Sequence, residues 1–418
     1  MPRLPITAMS LVGSMGRTTA ETLAALDEGR TGLVAWTDLA ARGGLSLSLP
    51  FPTFVGAVPG ALPELAPADQ AYDTRLARIG AMALGEVRPA LDRAIARWGA
   101  RRIAVLIGTS TGGLDATEVA FKSWSDGGGP DGGVVPAGFD LATQHDFNAL
   151  GELIRRMTGL SGPTYVVSTA CSSSGKVHAS AMRLMQLGLI DAALVGGIDS
   201  LCKMTLHGFR GLGILSDTQC KPFASDRAGI NIGEGAGLML LERDTAETRA
   251  EALAYLLGVG ESSDAYNMSS PEPSGRGAKE AMQRALAMGG LAPTDVGLLI
   301  AHGTATPQND VAESMAIEGV LGNEVPVIST KGYTGHQLGA AGATSAMFAA
   351  HAVRTNRIPR SLGAEPKDPA VRVNVLAEGR TGGGALGVAM CNAFAFGGSN
   401  VCLAIASSEW VAARGGAS

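Results

Sequence analysis

Short, almost uniformly apolar runs recur along this chain and alternate with longer segments of helical periodicity. The runs are Arg102–Ile107, Tyr165–Thr169, Ala192–Gly196, Gly237–Leu241, Leu298–Ala301, Val325–Ser329, Gly387–Cys391 and Val401–Ala406. Strands apolar on both alternating faces belong in the middle of a layered molecule, covered from two sides. Between them, residues 72–98, 175–188, 276–289, 309–321 and 339–355 carry the helical spacing, with a bend expected near Pro89. Residues 4–13 read as a first strand. This alternation predicts an α/β molecule with helices packed on its sheets.

The composition agrees with extensive burial. Of 418 residues, 46% are hydrophobic and only 17% charged. The 58 glycines point to many close backbone approaches. A net charge of −5 and the lack of a dense Lys/Arg run speak against a nucleic-acid partner. The five cysteines are odd in number and form no CxxC pair, which argues against a disulfide framework and against a zinc site. They favour a reducing, cytoplasmic location. Residues 4–13 are too short and too interrupted for a signal peptide, and no run of 18 apolar residues predicts a membrane span. Gly108-Thr-Ser-Thr-Gly-Gly113 lacks the lysine of a phosphate-binding loop, so nucleotide binding is unsupported.

A weak internal echo is present. Tyr165–Leu187 reads as strand, polar turn, then a helix rich in Ala and Met, and Val325–Val353 reads the same way. The period, near 160 residues, is too long for a solenoid and suggests two related halves that meet around residues 245–255.

Cys171 sits at the break in the first copy, Thr164-Tyr-Val-Val-Ser-Thr-Ala-Cys-Ser-Ser-Ser-Gly175. A cysteine at a strand-to-helix turn faces unpaired N–H groups and the positive end of the helix, which favours thiolate. Two roles are open on this pattern: an acyl-accepting nucleophile, or a small buried residue that packs like alanine. His302 ends the strand Leu298–Ala301, and His336 follows the strand Val325–Ser329 in Lys331-Gly-Tyr-Thr-Gly-His336. All three lie at carboxyl ends of expected strands, where α/β sheets place ligands. His145, His207 and His351 lack such a motif, and His178, one turn into the helix after Cys171, reads as a packing residue.

Six motifs resemble those of the β-ketoacyl-acyl carrier protein (ACP) synthases, the elongating type I/II group above all. They are Ala170-Cys171-Ser172-Ser173-Ser174, Lys221-Pro-Phe-Ala-Ser-Asp-Arg227, Gly233-Glu-Gly-Ala-Gly237, His302-Gly-Thr-Ala-Thr306, Lys331…Gly335-His336-Gln-Leu-Gly-Ala-Ala-Gly342 and Asn392-Ala-Phe-Ala-Phe-Gly-Gly-Ser-Asn400. They run in family order over residues 170–400. The resemblance implies a duplicated thiolase fold, layered α-β-α-β-α with two central mixed sheets, and a homodimer. It divides the chain into a nucleophile-bearing half (1–250) and a histidine-bearing half (251–418).

By the same resemblance, Cys171 holds the acyl chain as a thioester, and His302 and His336 hydrogen-bond the malonyl thioester oxygen during decarboxylation. Lys331 organises the site, paired with Glu313. The Phe396 N–H joins that of Cys171 in an oxyanion hole while its ring gates the acyl pocket, Phe394 in the same turn binds substrate, and Thr304 and Thr306 line the pantetheine channel. As threonines in a tight turn, these two also suit bonds to their own backbone. No cofactor is implied, because the phosphopantetheine arm comes with the ACP. The partners implied are ACP, malonyl and acyl thioesters and a second subunit, the same or related. Arg75, Arg78 and Arg210 are candidates for docking an acidic carrier, set against ordinary surface charge.

Two positions depart from the pattern. Residue 395 is Ala where glycine is common, and residue 332 is Gly where serine is common. The segment Gly260-Glu-Ser-Ser-Asp-Ala-Tyr-Asn-Met-Ser-Ser270 is similar to synthases of aryl-polyene or polyketide-like pathways. The expectation is therefore a decarboxylating 3-oxoacyl-ACP synthase of fatty-acid elongation, with a type II polyene or polyketide ketosynthase as alternative. A non-catalytic chain-length-factor subunit and a thiolase are the rivals. The first lacks the active cysteine, and the second uses a second cysteine as base, for which no other cysteine here has a matching motif.

Overall fold

Along Ile103–Gly108, Ile103, Val105 and Ile107 enter one hydrophobic core while Ala104 and Leu106 enter another. The alternation of a strand thus puts a uniformly apolar run against two different layers. The computed structural model describes residues 3–43, 45, 47–381 and 384–415. The outermost residues of the two expected halves, 1–2 and 416–418, lie outside these.

The strands of the large sheet are numbered in chain order. They are β1 (Leu4–Gly13), β2 (Ile103–Gly108), β3 (Thr164–Val167), β4 (Ala192–Asp199), β5 (Gly235–Glu242), β6 (Ala254–Ser263), β7 (Val296–Ile300), β8 (Pro326–Ile328), β9 (Asn374–Val375), β10 (Val388–Ala395) and β11 (Ser399–Ala406). The order across the sheet is β9-β8-β7-β10-β11-β6-β1-β5-β4-β2-β3. In the first half, β1-β5-β4 pair antiparallel and β4-β2-β3 parallel. In the second, β6-β11-β10 pair antiparallel and β10-β7-β8 parallel, so the pattern repeats. Leu4–Ile6 of β1 pairs with Ala254–Leu256 of β6 and joins the two mixed sheets into one ladder.

The helices that cover the sheets include α1 (Arg75–Trp98), α2 (Phe147–Thr158), α3 (Ser173–Gln186), α4 (Arg276–Gly289), α5 (Pro307–Leu321) and α6 (Ala341–Thr355). Pro89 lies inside α1. Three cores define five layers. α1 and α2 pack outside the first half's sheet, α3 and α6 share the core between the two sheets, and α4 and α5 cover the second. The Ala343 N–H donates to Ser174 Oγ at 2.9 Å, tying the two central helices together near their starts. The sequence echo corresponds to β3–α3 and β8–α6, equivalent positions in the repeated topology.

All eight apolar runs and the first strand form strands, with ends shifted by a few residues. The ten-residue β6 was not expected, because it falls at the junction of the two halves. Its Ala254-Tyr-Leu-Leu-Gly-Val-Gly260 portion is a further apolar run.

Candidate active site

The turn after β3 is built by its hydroxyls. The Thr169 N–H donates to Ser173 Oγ (2.9 Å), and that hydroxyl donates to the Ala170 carbonyl (2.5 Å). Ser172 Oγ donates to the Thr169 carbonyl at 2.8 Å. The loop closes on itself and holds Ala170 at φ 50°, a strained conformation for a non-glycine residue. The serines of the run are therefore clamps. Cys171 is thrown forward at the start of α3, with only 7% of its surface exposed.

His336 Nε2 stands 3.0 Å from Cys171 Sγ. The proton on this ring can be assigned from its neighbours. The Leu338 N–H lies 3.2 Å from Nδ1. A backbone N–H can only donate, so Nδ1 accepts and the neutral ring carries its proton on Nε2. His302 follows the same logic, with Lys331 Nζ 3.4 Å from its Nδ1. The two rings meet edge to face with centroids 5.3 Å apart, and Phe394 packs 5.8 Å from His302. Burial, with Lys331's positive charge, holds both imidazoles well below their usual pKa. Both are neutral Nε2–H donors near pH 7.

The cysteine differs from the sequence expectation. Burial pushes its thiol up to about 12, outweighing Lys331 and the N–H groups of Cys171 and Phe396, which favour the anion. Thiolate at rest is thus corrected to thiol, because desolvation in a closed site exceeds the help of the helix terminus. Even so, the N–H groups of Cys171 and Phe396 converge on the sulfur, where an oxyanion hole requires donors.

Lys331 is 5% exposed, and its Nζ also donates to the His302 carbonyl. Its expected direct pairing with Glu313 does not occur among the described residues. The Glu313 carboxylate accepts the N–H groups of His302 and Gly303 (both 2.8 Å) and Asn392 Nδ2 (3.0 Å). Glu313 braces the backbone that bears His302 and acts on Lys331 only through space. Thr304 and Thr306 join hydroxyl to hydroxyl at 2.9 Å.

A cavity of about 380 Å³ opens over these groups. Every expected site residue except Lys331 lines it: Cys171, His302, His336, Glu313, Thr304, Thr306, Phe394 and Phe396. Phe396 is 37% exposed and lies against Phe209, 5.8 Å between centroids. Of the two departures, Ala395 adopts φ −125°, which any residue takes without strain. At Gly332 a Cβ would lie 2.9 Å from both the Cβ and the carbonyl oxygen of Leu362, so serine does not fit this backbone.

The arginines expected to dock a carrier are engaged within the chain. Arg75 makes a two-pronged ion pair with buried Glu234, Arg78 pairs with Asp73, and Arg210 pairs with Asp217 while stacking over Phe51. His178 packs as expected, its Nδ1 2.7 Å from the Ser174 carbonyl. Among the described residues no cluster of His, Cys, Asp or Glu could hold a metal ion, and no helix is long and apolar enough to cross a membrane.

Sequence reasoning missed Asn392, Asp310 and Asp199. Asn392 opens one of the six motifs, and Asp310, which accepts the N–H groups of Phe223 (2.7 Å) and Ala305 (3.1 Å), follows another. Their place beside those motifs was the available signal. Asp199 had none beyond lying three residues past the apolar run Ala192–Gly196.

Comparison with known proteins identifies the family. Residues 2–247 match the family model for the β-ketoacyl synthase N-terminal domain, and residues 253–365 that for the C-terminal domain. A 3-oxoacyl-[acyl-carrier-protein] synthase 2 from Staphylococcus aureus is 34% identical over 315 residues, 73% of this chain and 77% of that protein. A solved ketosynthase (ApeO) in complex with its chain length factor (ApeC) from Xenorhabdus doucetiae superposes with a TM-score of 0.85 at 35% identity, covering 97% of this chain and 98% of that one. A β-ketoacyl synthase from Burkholderia phymatum STM815 gives 0.84 at 27% identity, over 97% and 100%. The chain belongs to the β-ketoacyl synthase family.

Proposed function

We propose that this protein is a 3-oxoacyl-ACP synthase of fatty-acid elongation, an acyltransferase that condenses malonyl-ACP with an acyl chain held on Cys171. The observation that carries this reading is the pair of neutral Nε2–H imidazoles at the cavity beside the Cys171 thiol. Acyl-ACP enters, the Cys171 sulfur attacks the thioester carbonyl, and the oxyanion forms against the N–H groups of Cys171 and Phe396. The C–S bond to the phosphopantetheine arm breaks, and the thiol proton leaves with that sulfur.

Malonyl-ACP then binds with its thioester oxygen towards His302 and His336. Its carboxylate departs as CO2 and leaves an enolate that the two N–H groups stabilise, each donor contributing about 3–4 kcal/mol in a dry site. The enolate carbon attacks the acyl carbonyl, the bond to Cys171 breaks, the departing sulfur takes up one proton from water to restore the thiol, and 3-oxoacyl-ACP is released. Lys331 and Glu313 position His302. Thr304 and Thr306 line the channel for the arm, Phe394 binds substrate, and the Phe396 ring gates the acyl pocket. The chain needs no cofactor of its own, since the arm arrives on the ACP.

The halves are taken as residues 1–250, bearing the nucleophile, and 251–418, bearing the histidines. We place the protein in the cytoplasm, as a homodimer or paired with a related subunit. Near-full-length similarity to the ketosynthase solved with a chain length factor supports a second reading, a ketosynthase of an aryl-polyene or polyketide-like type II pathway. The intact Cys171–His336 contact weighs against a non-catalytic subunit.

The deciding experiment incubates the protein with acyl-ACPs of graded length and reads acyl-enzyme by intact mass. Wild type gains one acyl group and Cys171→Ala gains none. An adduct on Cys171→Ala would overturn the assignment of the nucleophile.

A further inference from the structure

The segment carrying His336 belongs to the second half of the chain, yet its grip comes from the first. The His336 N–H donates to the Asn231 carbonyl (2.7 Å), and its carbonyl accepts the Gly233 N–H (3.0 Å). Gln337 Nε2 donates to the Glu234 carbonyl at 3.0 Å. A buried carboxylate completes the set. Asp199, the last residue of β4, is fully buried, and its Oδ2 accepts the Ala340 N–H at 3.1 Å, a donor shared with the Gln337 carbonyl at 2.9 Å.

The rest of its bonds fix it to the loop after β2. Oδ1 accepts the hydroxyls of Thr109 and Thr111 (both 2.8 Å) and the N–H groups of Ser110 (2.8 Å) and Thr111 (2.9 Å). The segment sits tight against it, since a Cβ on Gly339 would stand 2.8 Å from Oδ2. All five donors point inward, so the site is matched to a group that only accepts. A buried carboxylate satisfied this fully is a rigid fixture.

We propose that Asp199 is a positioning residue for the condensation step: by holding the Ala340 N–H from the opposite half, it fixes residues 336–340 so that His336 Nε2 stands over Cys171. Cys171 itself hangs on the hydrogen bonds within the Thr169–Ser174 turn, and Asp199 acts on it only through space, its charge helping to raise the thiol. Loss of Asp199 therefore separates the two half-reactions. This inference rests on the condensing function proposed above.

The test uses Asp199→Asn, which keeps the shape but places an NH2 among donors. Acylation of Cys171 by acyl-ACP is followed by intact mass in a single turnover, and condensation with malonyl-ACP is followed separately. Condensation falls roughly 10- to 100-fold, as expected for a displaced catalytic group, while acylation stays within about threefold. Thr111→Val removes one hydroxyl donor without touching the His336 segment, and shows the same split at smaller size.

If Asp199→Asn does not fold, the Thr111→Val split decides alone. Equal losses in both half-reactions, tracking a lowered melting temperature, would reduce Asp199 to a structural residue. Wild-type condensation in both variants would remove the inference while leaving the function standing. A wild-type protein that never acylates Cys171 would instead bring down the function, and this inference with it.

Discussion

At Cys171 the contest between desolvation and nearby donors is won by desolvation, and this sets the chemistry of the resting enzyme. With the thiol pushed up to about 12, only a small thiolate fraction exists near neutrality. Alkylation of Cys171 by iodoacetamide should then rise about tenfold per unit between roughly pH 7 and 9. A rate flat across that range would show a stabilised thiolate. The imidazoles give the opposite signature. Their folded pKa values lie well below the ordinary value, so they stay neutral as pH falls through about 6.5, and kcat for condensation should show no acid limb there. A limb near 6.5 that disappears in His336→Ala would contradict the assigned protonation. His302→Ala and His336→Ala should each retain Cys171 acylation and lose about 100-fold or more in condensation. Single-turnover acylation beside steady-state product formation checks both.

At the scale of elements, the Thr169–Ser174 turn is set by how closely α3 approaches β2. A Cβ on Gly108 would lie 2.3 Å from the Ser174 backbone nitrogen. Backbone cannot step aside as a side-chain tip can, so Gly108→Ala should push the first turn of α3 outward and move Cys171 with it. A loss of about 1–3 kcal/mol in urea denaturation, with slower acylation, is the expected result. Unchanged stability would mean that the helix start has slack. The elements also show which parts of the sequence were readable. β2 and β4 were legible because burial on both faces leaves a nearly pure apolar run, and α4 because its spacing is regular. β6 was not, because its run lies where two related halves join and its partners β1 and β11 are remote in sequence. The pairing of Lys331 with Glu313 was misjudged because backbone N–H groups, invisible in a residue pattern, took the carboxylate first.

Over the whole molecule, β3 ends the large sheet with one side open among the described residues, its four residues half-buried. The carbonyls of Pro163 and Val167 face β2, so by alternation Thr164 and Val166 turn their N–H and C=O outward. An apolar open edge is a template for another strand. On the proposed dimer, Val166→Pro removes an outward N–H and should shift the mass in light scattering towards the 42.4 kDa of one chain. Wild type at monomer mass would show that this edge serves no subunit contact. The α/β class could be read from the order of residues, because the apolar period is local and survives without coordinates, and so could a cysteine and two histidines at strand ends; the duplicated plan and the roles of the site residues came from the resemblance of six motifs to a known family. Tertiary packing was needed to set the state of the thiol, the proton positions on the two imidazoles, the partner of Glu313 and the grip of Asp199 on the His336 segment. Each depends on what is excluded from water and which donors arrive from distant strands, and neither is written in any one stretch of chain.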